Sequence, residues 1–275
     1  MKIQAKRGGR TLEPIEVKRE IIRYGKGFAE RVEDSIVTEH PVTIKINGAE
    51  FATLVCSPDF IEDLVIGFLA SEGVIRKYDD LEDIWIEEKL GTAHVKTKKV
   101  NPYYLNFQGK RYITSCCGAG RQGFVFINDA LTAKKMEQVR IKISSRDCFS
   151  LMKEMQESSP VFQNTGGVHN AALCQSGKVV ISRMDIGRHN ALDKIYGHCL
   201  KNSIPLSDKV LAFSGRISAE ILLKASKIGC EIVLSKSAPT ELALKLAEDL
   251  GITTIGFIRD ESLNVYTGQE RVFLE

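Results

Sequence analysis

From residue 165 to residue 258 one pattern repeats: a short apolar run of strand length, a loop with glycine or serine, then an apolar face at helical spacing. The strands are Val210-Leu211-Ala212-Phe213, Glu231-Ile232-Val233-Leu234 and Thr253-Thr254-Ile255-Gly256-Phe257-Ile258. The helical faces are Ala191, Leu192, Ile195, Tyr196 and Cys199, then Ile221, Leu222, Ala225 and Ile228, then Leu242, Leu244, Leu246 and Leu250. Gly229 and Gly251 stop the last two helices. Ahead of them, Thr165-Gly166-Gly167 turns the chain into a strand through Cys174, and Ser176-Gly177 leads to an antiparallel partner at Lys178–Arg183. Such alternation predicts βαβ units with right-handed crossovers and largely parallel strands. The expected class is α/β, within an α+β whole.

In such a sheet ligands bind beyond the carboxyl ends of the strands. The four loops there each carry a cation: Arg188, Arg216, Lys236 and Arg259. Three of these loops are expected to open helices, whose free N–H groups attract anions. Ser214, Gly215 and Ser237 add small donors or close backbone approach. Together they suggest a site for a polyanion such as a nucleotide or a pyrophosphate, set against the plainer reading that solvent-facing loops often carry Lys or Arg. His169 and His189 join the candidate set, although a lone histidine at a turn or helix start is more often a hydrogen-bonding residue than a catalyst.

The first half has a different texture. Residues 1–35 read as a polar arm. Residues 36–140 read as a small α+β domain, and 141–275 as the α/β domain. Val42, Ile44 and Ile46 alternate with polar residues, then Asn47-Gly48 and Phe51–Val55 complete a hairpin signal. Ser57 as N-cap with Pro58 at the first helical position should open a helix bearing Phe60, Ile61, Leu64, Val65, Phe68 and Leu69. His94 reads as an exposed strand residue. A further helix is expected from Arg146 to about Gln156.

Near the end of this domain lies Thr114-Ser115-Cys116-Cys117-Gly118-Ala119-Gly120-Arg121-Gln122-Gly123. Glycines supply backbone freedom, and a neighbouring cation, Arg121, favours thiolate, the reactive form of cysteine. The loop therefore either presents a nucleophilic cysteine or is a connector with two incidental thiols. The other cysteines, Cys56, Cys148, Cys174, Cys199 and Cys230, fall in or beside apolar segments and read as core residues. Their odd total of seven and scattered spacing argue against a disulfide framework.

Other chemistries are excluded by what the chain lacks. The net charge of +3 gives no bulk signature of nucleic-acid binding. The basic N-terminus has no apolar h-region, and no apolar run is long enough to span a bilayer, so a cytoplasmic protein with no membrane contact is expected. There is no CxxC pair for zinc and no P-loop sequence. Val168-His169-Asn170-Ala171 lacks the glutamate of a zinc deaminase. A cysteine–histidine hydrolase stays open at this level.

Five stretches together resemble the FdhD family of formate dehydrogenase accessory sulfurtransferases. They are Thr165–Leu173, Asp185–Lys194, Ser214-Gly215-Arg216, Ser237-Ala238-Pro239-Thr240, and Gly256–Arg259 followed by Asn264-Val265-Tyr266-Thr267-Gly268. The resemblance runs from about Pro41 to Arg271. It implies a sulfur carrier that accepts sulfur from a cysteine desulfurase as a cysteine persulfide. The sulfur passes to a molybdenum (or tungsten) bis-guanine-dinucleotide cofactor before that cofactor enters formate dehydrogenase. It also implies a homodimer, and a carboxyl-terminal αβα domain that is cytidine-deaminase-like but has no zinc site. The family's cofactor-binding stretch corresponds to Phe257, Ile258, Arg259, Asp260, Glu261 and Ser262.

One departure falls in the cysteine loop. The usual pattern is Thr-Ser-Ser-Cys-Gly-x-Cys-Gly. Here Cys117 matches the first family cysteine, Gly120 stands where the second would be, and Cys116 replaces a serine. A two-thiol CxxC relay is thus impossible, whereas a single-cysteine persulfide on Cys117 is not, with Cys116 as a possible helper. The alternative reading is a cofactor-binding chaperone without sulfur transfer.

Overall fold

The computed structural model describes residues 13–25, 27–98, 112–113 and 133–275. The described residues of the stretch read as a polar arm form, with the two residues after it, an antiparallel hairpin, β1 (Glu16–Gly25) and β2 (Phe28–Val37). Its apolar residues pair across the ladder, Val17 with Ile36 and Ile21 with Val32, while Arg31–Glu20 at 3.2 Å and Arg23–Asp34 at 3.7 Å pair charges between the strands. Most of its residues are exposed, so no face had to be uniformly apolar and the period-2 signal is weak.

The expected hairpin forms as β3 (His40–Ile46) and β4 (Ala49–Cys56). Asn47 and Gly48 both have positive φ, 50° and 90°, as a tight two-residue hairpin turn requires. With β5 (Leu81–Glu87), β6 (Thr92–Thr97) and β7 (Tyr112–Ile113) they make a five-stranded sheet in the order β5-β6-β3-β4-β7. His94 is not simply exposed: its ring stacks on Trp85 with centroids 4.7 Å apart, and Nε2 lies 3.3 Å from Glu87.

Helix α1 runs Ile61–Ser71, and its N-cap is Phe60 at φ 48°, not Ser57. Ser57 is taken by a distant partner. Its N–H donates to Asp185 Oδ2 at 3.0 Å, and its hydroxyl accepts the Ile186 N–H at 3.1 Å. Both bonds are buried, and a buried backbone N–H must be satisfied, so they outweigh a local cap.

Next come β8 (Ile143–Ser144), α2 (Ser145–Glu157), α3 (Pro160–Thr165), β9 (His169–Gln175), β10 (Lys178–Asp185), α4 (Arg188–Lys201), β11 (Val210–Phe213) and α5 (Ala219–Ile228). They are followed by β12 (Ile232–Ser235), α6 (Glu241–Leu250), β13 (Thr253–Arg259), β14 (Ser262–Thr267) and β15 (Val272–Phe273). The six-stranded sheet has the order β10-β9-β11-β12-β13-β14. It is mixed rather than largely parallel: only β11, β12 and β13 run parallel, and β9, β10 and β14 pair antiparallel. The cause is connection length. The turns at Ser176-Gly177 and Asp260-Glu261 leave no room for a crossover, so they return the chain antiparallel.

Both faces of this sheet are covered, which bears out the α/β class. Cys148, Leu151, Met152 and Met155 of α2 pack with Ala172, Cys174, Ala212, Leu234 and Ile255 on one face. On the other face α4, α5 and α6 meet Ala171, Leu173, Leu211 and Val233. That second core continues without a break into α1 and the five-stranded sheet.

Candidate functional site

The mixed topology gathers the expected loops on one edge. Because β9 runs against β10 and β11, its start at His169 lies opposite Asp185, and Ala171 pairs with Phe213. The ends of β10, β11, β12 and β13 therefore share an edge with His169. Hydrogen bonds then tie neighbouring loops together. The Ser214 hydroxyl accepts the Asn170 N–H at 3.1 Å and lies 3.3 Å from His169 Nδ1, and the Ser214 N–H donates to the Asn170 carbonyl at 2.9 Å. Ser235 donates to the Gly215 carbonyl at 2.7 Å and accepts the Ser237 N–H at 2.9 Å. The Phe257 N–H reaches the Ser237 carbonyl at 3.3 Å.

Gly215 allows a close approach. A β-carbon there would lie 3.3 Å from Arg188 Cδ and 3.5 Å from His169 Nδ1. The Arg259 guanidinium stands 5.9 Å from the Phe257 ring, and Phe257 holds a positive φ of 52°. Structure thus brings His169, Arg188, Ser214 and Gly215 into one cluster and joins Ser237, Phe257 and Arg259 to its flank. Arg216, Asp260, Glu261 and Ser262 are exposed on the same edge, and Lys236 is half-buried. Ile258 differs: its side chain is buried in the core under α2, so only its backbone is placed to serve a ligand.

The helix starts need correction. Arg216 and Lys236 were expected to open helices, but both lie upstream of the caps. Ser218 caps α5 by accepting the Ile221 N–H, and Thr240 caps α6 by accepting the Ala243 N–H, each at 3.4 Å. Glu220 and Glu241 occupy the first turns, where they already answer the helix dipoles. Between strand and cap the two segments pair, with Ile217 N–H donating to the Ala238 carbonyl at 3.1 Å. Of the three helices only α4 starts without a side-chain cap or a first-turn acid, at Gly187-Arg188-His189.

Electrostatics sharpen this picture. Burial pushes the His169 pKa down, and the charges of Arg188 and His189 push it the same way. Burial also lowers His189, opposed by its hydrogen bond to Glu220 Oε2 at 3.1 Å. Both imidazoles are neutral at pH 7, so the positive field comes from Arg188, Arg216, Lys236 and Arg259. Asn170 is 1% exposed, and its side-chain Nδ2 and Oδ1 have no partner among the described residues. Arg188 Nε is likewise buried and unpartnered there. Unsatisfied polar atoms of this kind suit a polar ligand.

Sequence reasoning missed the group that anchors this edge. Lys194 is fully buried on α4, with Nζ 2.5 Å from Asp59 Oδ1, 2.8 Å from Asp185 Oδ2 and 3.1 Å from the Met184 carbonyl. Burial disfavours its ammonium, but Asp185 and Asp59 outweigh that and hold its pKa up. No local signal reveals it, because a lysine on an amphipathic helix ordinarily reads as solvent-facing.

The cysteine loop, with Cys116, Cys117 and Arg121, lies outside the described residues. The described chain ends just before it at β7, which pairs parallel with β4, Thr53 with Tyr112 and Leu54 with Ile113. The five other cysteines are all buried. Burial pushes Cys148, Cys174 and Cys199 up to about 12, and drives Cys56 and Cys230 up as well. None of the five is a ready nucleophile.

Residues 37–273 match the FdhD/NarQ family. The chain belongs to that family. A protein of Bacillus subtilis (strain 168) named sulfur carrier protein FdhD is 55% identical over 262 residues, covering 94% of this chain and 98% of that protein. One of the same name from Shouchella clausii is 53% identical over 262 residues, covering 95% and 98%. A crystal structure described as a formate dehydrogenase accessory protein from Desulfotalea psychrophila superposes with a TM-score of 0.78 at 23% identity, over 94% of this chain and all of that one. That likeness shows that this FdhD/NarQ chain shares its fold. No described helix of the chain is long and apolar enough to cross a membrane.

Proposed function

We propose that this chain is a sulfurtransferase that carries sulfur as a persulfide on Cys117, from a cysteine desulfurase to a molybdenum (or tungsten) bis-guanine-dinucleotide cofactor bound for formate dehydrogenase. The carrying observation is the state of the thiols. Five of the seven cysteines are buried with raised pKa values, so the accessible nucleophile is sought at Cys116-Cys117. The names of the relatives, and the match of Cys117 to the first family cysteine, support the same choice.

In the first step the Cys117 thiolate attacks the outer sulfur of the desulfurase persulfide. The S–S bond breaks, the desulfurase cysteine leaves as thiolate, and Cys117 holds the transferred sulfur. Arg121 favours the attacking thiolate. The recipient's pyrophosphates are held on the edge by Arg188, Arg216, Lys236 and Arg259, with the backbone of the α4 start and of Phe257–Ser262 completing the cradle. Cys117 follows Ile113 by four positions in the sequence, and β4, which pairs with β7, ends at the segment bonded to the Asp185 loop. By the same family resemblance the protein works as a cytoplasmic homodimer.

Mass spectrometry after incubation with a desulfurase and cysteine tests the carrier. A single added sulfur on Cys117 is expected. Loss of that sulfur in Cys116→Ser but not in Cys117→Ser would sink the assignment.

A second reading is favoured by one residue. Gly120 replaces the second family cysteine, so the chain could hold and hand over the cofactor without sulfur chemistry. Full restoration of formate dehydrogenase activity by Cys117→Ala in a deficient strain would establish that reading instead.

A further inference from the structure

The Lys194 cluster lies behind the anion edge, and its bonds run in two directions. Toward the edge, Asp185 Oδ1 accepts the Gly187 N–H at 2.8 Å and the Asn190 side-chain N–H at 2.9 Å, so one carboxylate spans the loop that ends in Arg188 and His189. Toward the first half of the chain, Asp185 Oδ2 accepts the Ser57 N–H at 3.0 Å, and the Ser57 hydroxyl accepts the Ile186 N–H at 3.1 Å. Lys194 itself reaches Asp59 at 2.5 Å and the Ser57 carbonyl at 3.4 Å, and Asn190 donates to the Val55 carbonyl at 2.9 Å. All the partners in this second set lie in residues 55–59, at and just beyond the end of β4, the strand that pairs with β7.

A buried ion cluster is a weak way to gain stability, because apolar side chains of similar volume often serve as well. What apolar packing cannot supply is a set of directional bonds that fixes one backbone segment against another. Here the bonds join segments about 130 residues apart in sequence, and Asp185, Lys194 and Ser57 are each fully buried.

We infer that Lys194, with Asp185 and Ser57, is a positioning group that sets the Arg188–His189 loop against the end of β4. It acts on the ligand only through Arg188, whose buried Nε has no partner among the described residues, and touches no reacting atom. The inference rests on the proposed function for its ligand, a guanine nucleotide moiety held at the edge.

The test measures the dissociation constant of GDP for the full chain, at a temperature where circular dichroism shows every variant folded. Ser57→Ala removes one bond to the loop and should weaken GDP binding about fivefold, the size of one net hydrogen bond. Lys194→Gln should weaken it more, and if that variant does not fold, Ser57→Ala decides alone. A double-mutant cycle separates positioning from general destabilisation. In an Arg188→Ala background, Ser57→Ala should change affinity by less than about twofold, because the group it positions is gone. Equal weakening in both backgrounds, or no weakening in either, would overturn the positioning role. Wild-type protein that fails to bind GDP at all would overturn the functional reading and this inference with it.

Discussion

Gly67 of α1 and Gly197 of α4 face each other where the two helices cross, with backbone and no side chain between them. A β-carbon on Gly67 would overlap the Asp193 carbonyl oxygen and stand 2.8 Å from Gly197 N, and one on Gly197 would overlap the Asp63 carbonyl oxygen and stand 2.7 Å from Gly67 N. The atoms in the way are helix backbone, which cannot swing aside. Gly67→Ala and Gly197→Ala should each lower unfolding free energy by about 3 kcal/mol, read from the denaturant midpoint. An exposed control on α6, Glu248→Ala, should shift it by less than about 0.5 kcal/mol.

Acid should weaken the fold through the edge histidines. Both have folded pKa values below their ordinary 6.5, so the unfolded chain binds protons more readily. Their contribution is present above about pH 6.5 and is lost as pH falls through the lower folded values. Thermal melting followed between about pH 7 and about pH 5 should show a falling midpoint. His189→Gln should flatten that slope, and an unchanged slope in the variant would contradict the burial argument.

Thiol labelling should divide the seven cysteines sharply. With iodoacetamide at mildly alkaline pH, native protein should take label at Cys116 and Cys117 alone, and denatured protein at all seven. Labelling of Cys148, Cys174 or Cys199 on the same timescale would contradict burial and a pKa of about 12.

The anion edge should reveal itself through salt. Arg216→Ala and Arg259→Ala each remove an exposed cation from the edge and should raise the GDP dissociation constant about five- to tenfold at low ionic strength. The penalty should shrink as salt rises. Lys153→Ala, an exposed cation on α2 paired with Glu157, should leave affinity unchanged. Calorimetric titration at two salt concentrations distinguishes these outcomes.

Much of the fold is legible in local pattern. The hairpin at 40–56, the hairpin of β9 and β10 and the helices α2, α4, α5 and α6 follow from period-2 and period-3.6 apolar spacing with glycine turns, because each such signal is decided within a few residues. The candidate edge was legible to the same extent. Arg188, Ser214, Gly215 and Ser237 fall in turns that end strands, and strand ends share an edge once the sheet is granted.

By itself, the sequence determined the succession of strands and helices, the family likeness and the choice of Cys117 as the thiol in question. Tertiary structure alone decided the rest. The hairpin of β1 and β2 is mostly exposed, so burial imprinted only a weak pattern on it. Ser57 gives up a helix cap to bond Asp185, and Lys194 is drawn into the interior by Asp59 and Asp185. The helix starts near Arg216 and Lys236 slip downstream because Ile217 first pairs with the segment at Pro239. In each case the deciding partner is distant in sequence, and the stability of a buried polar group depends on that partner rather than on its own neighbours in the chain.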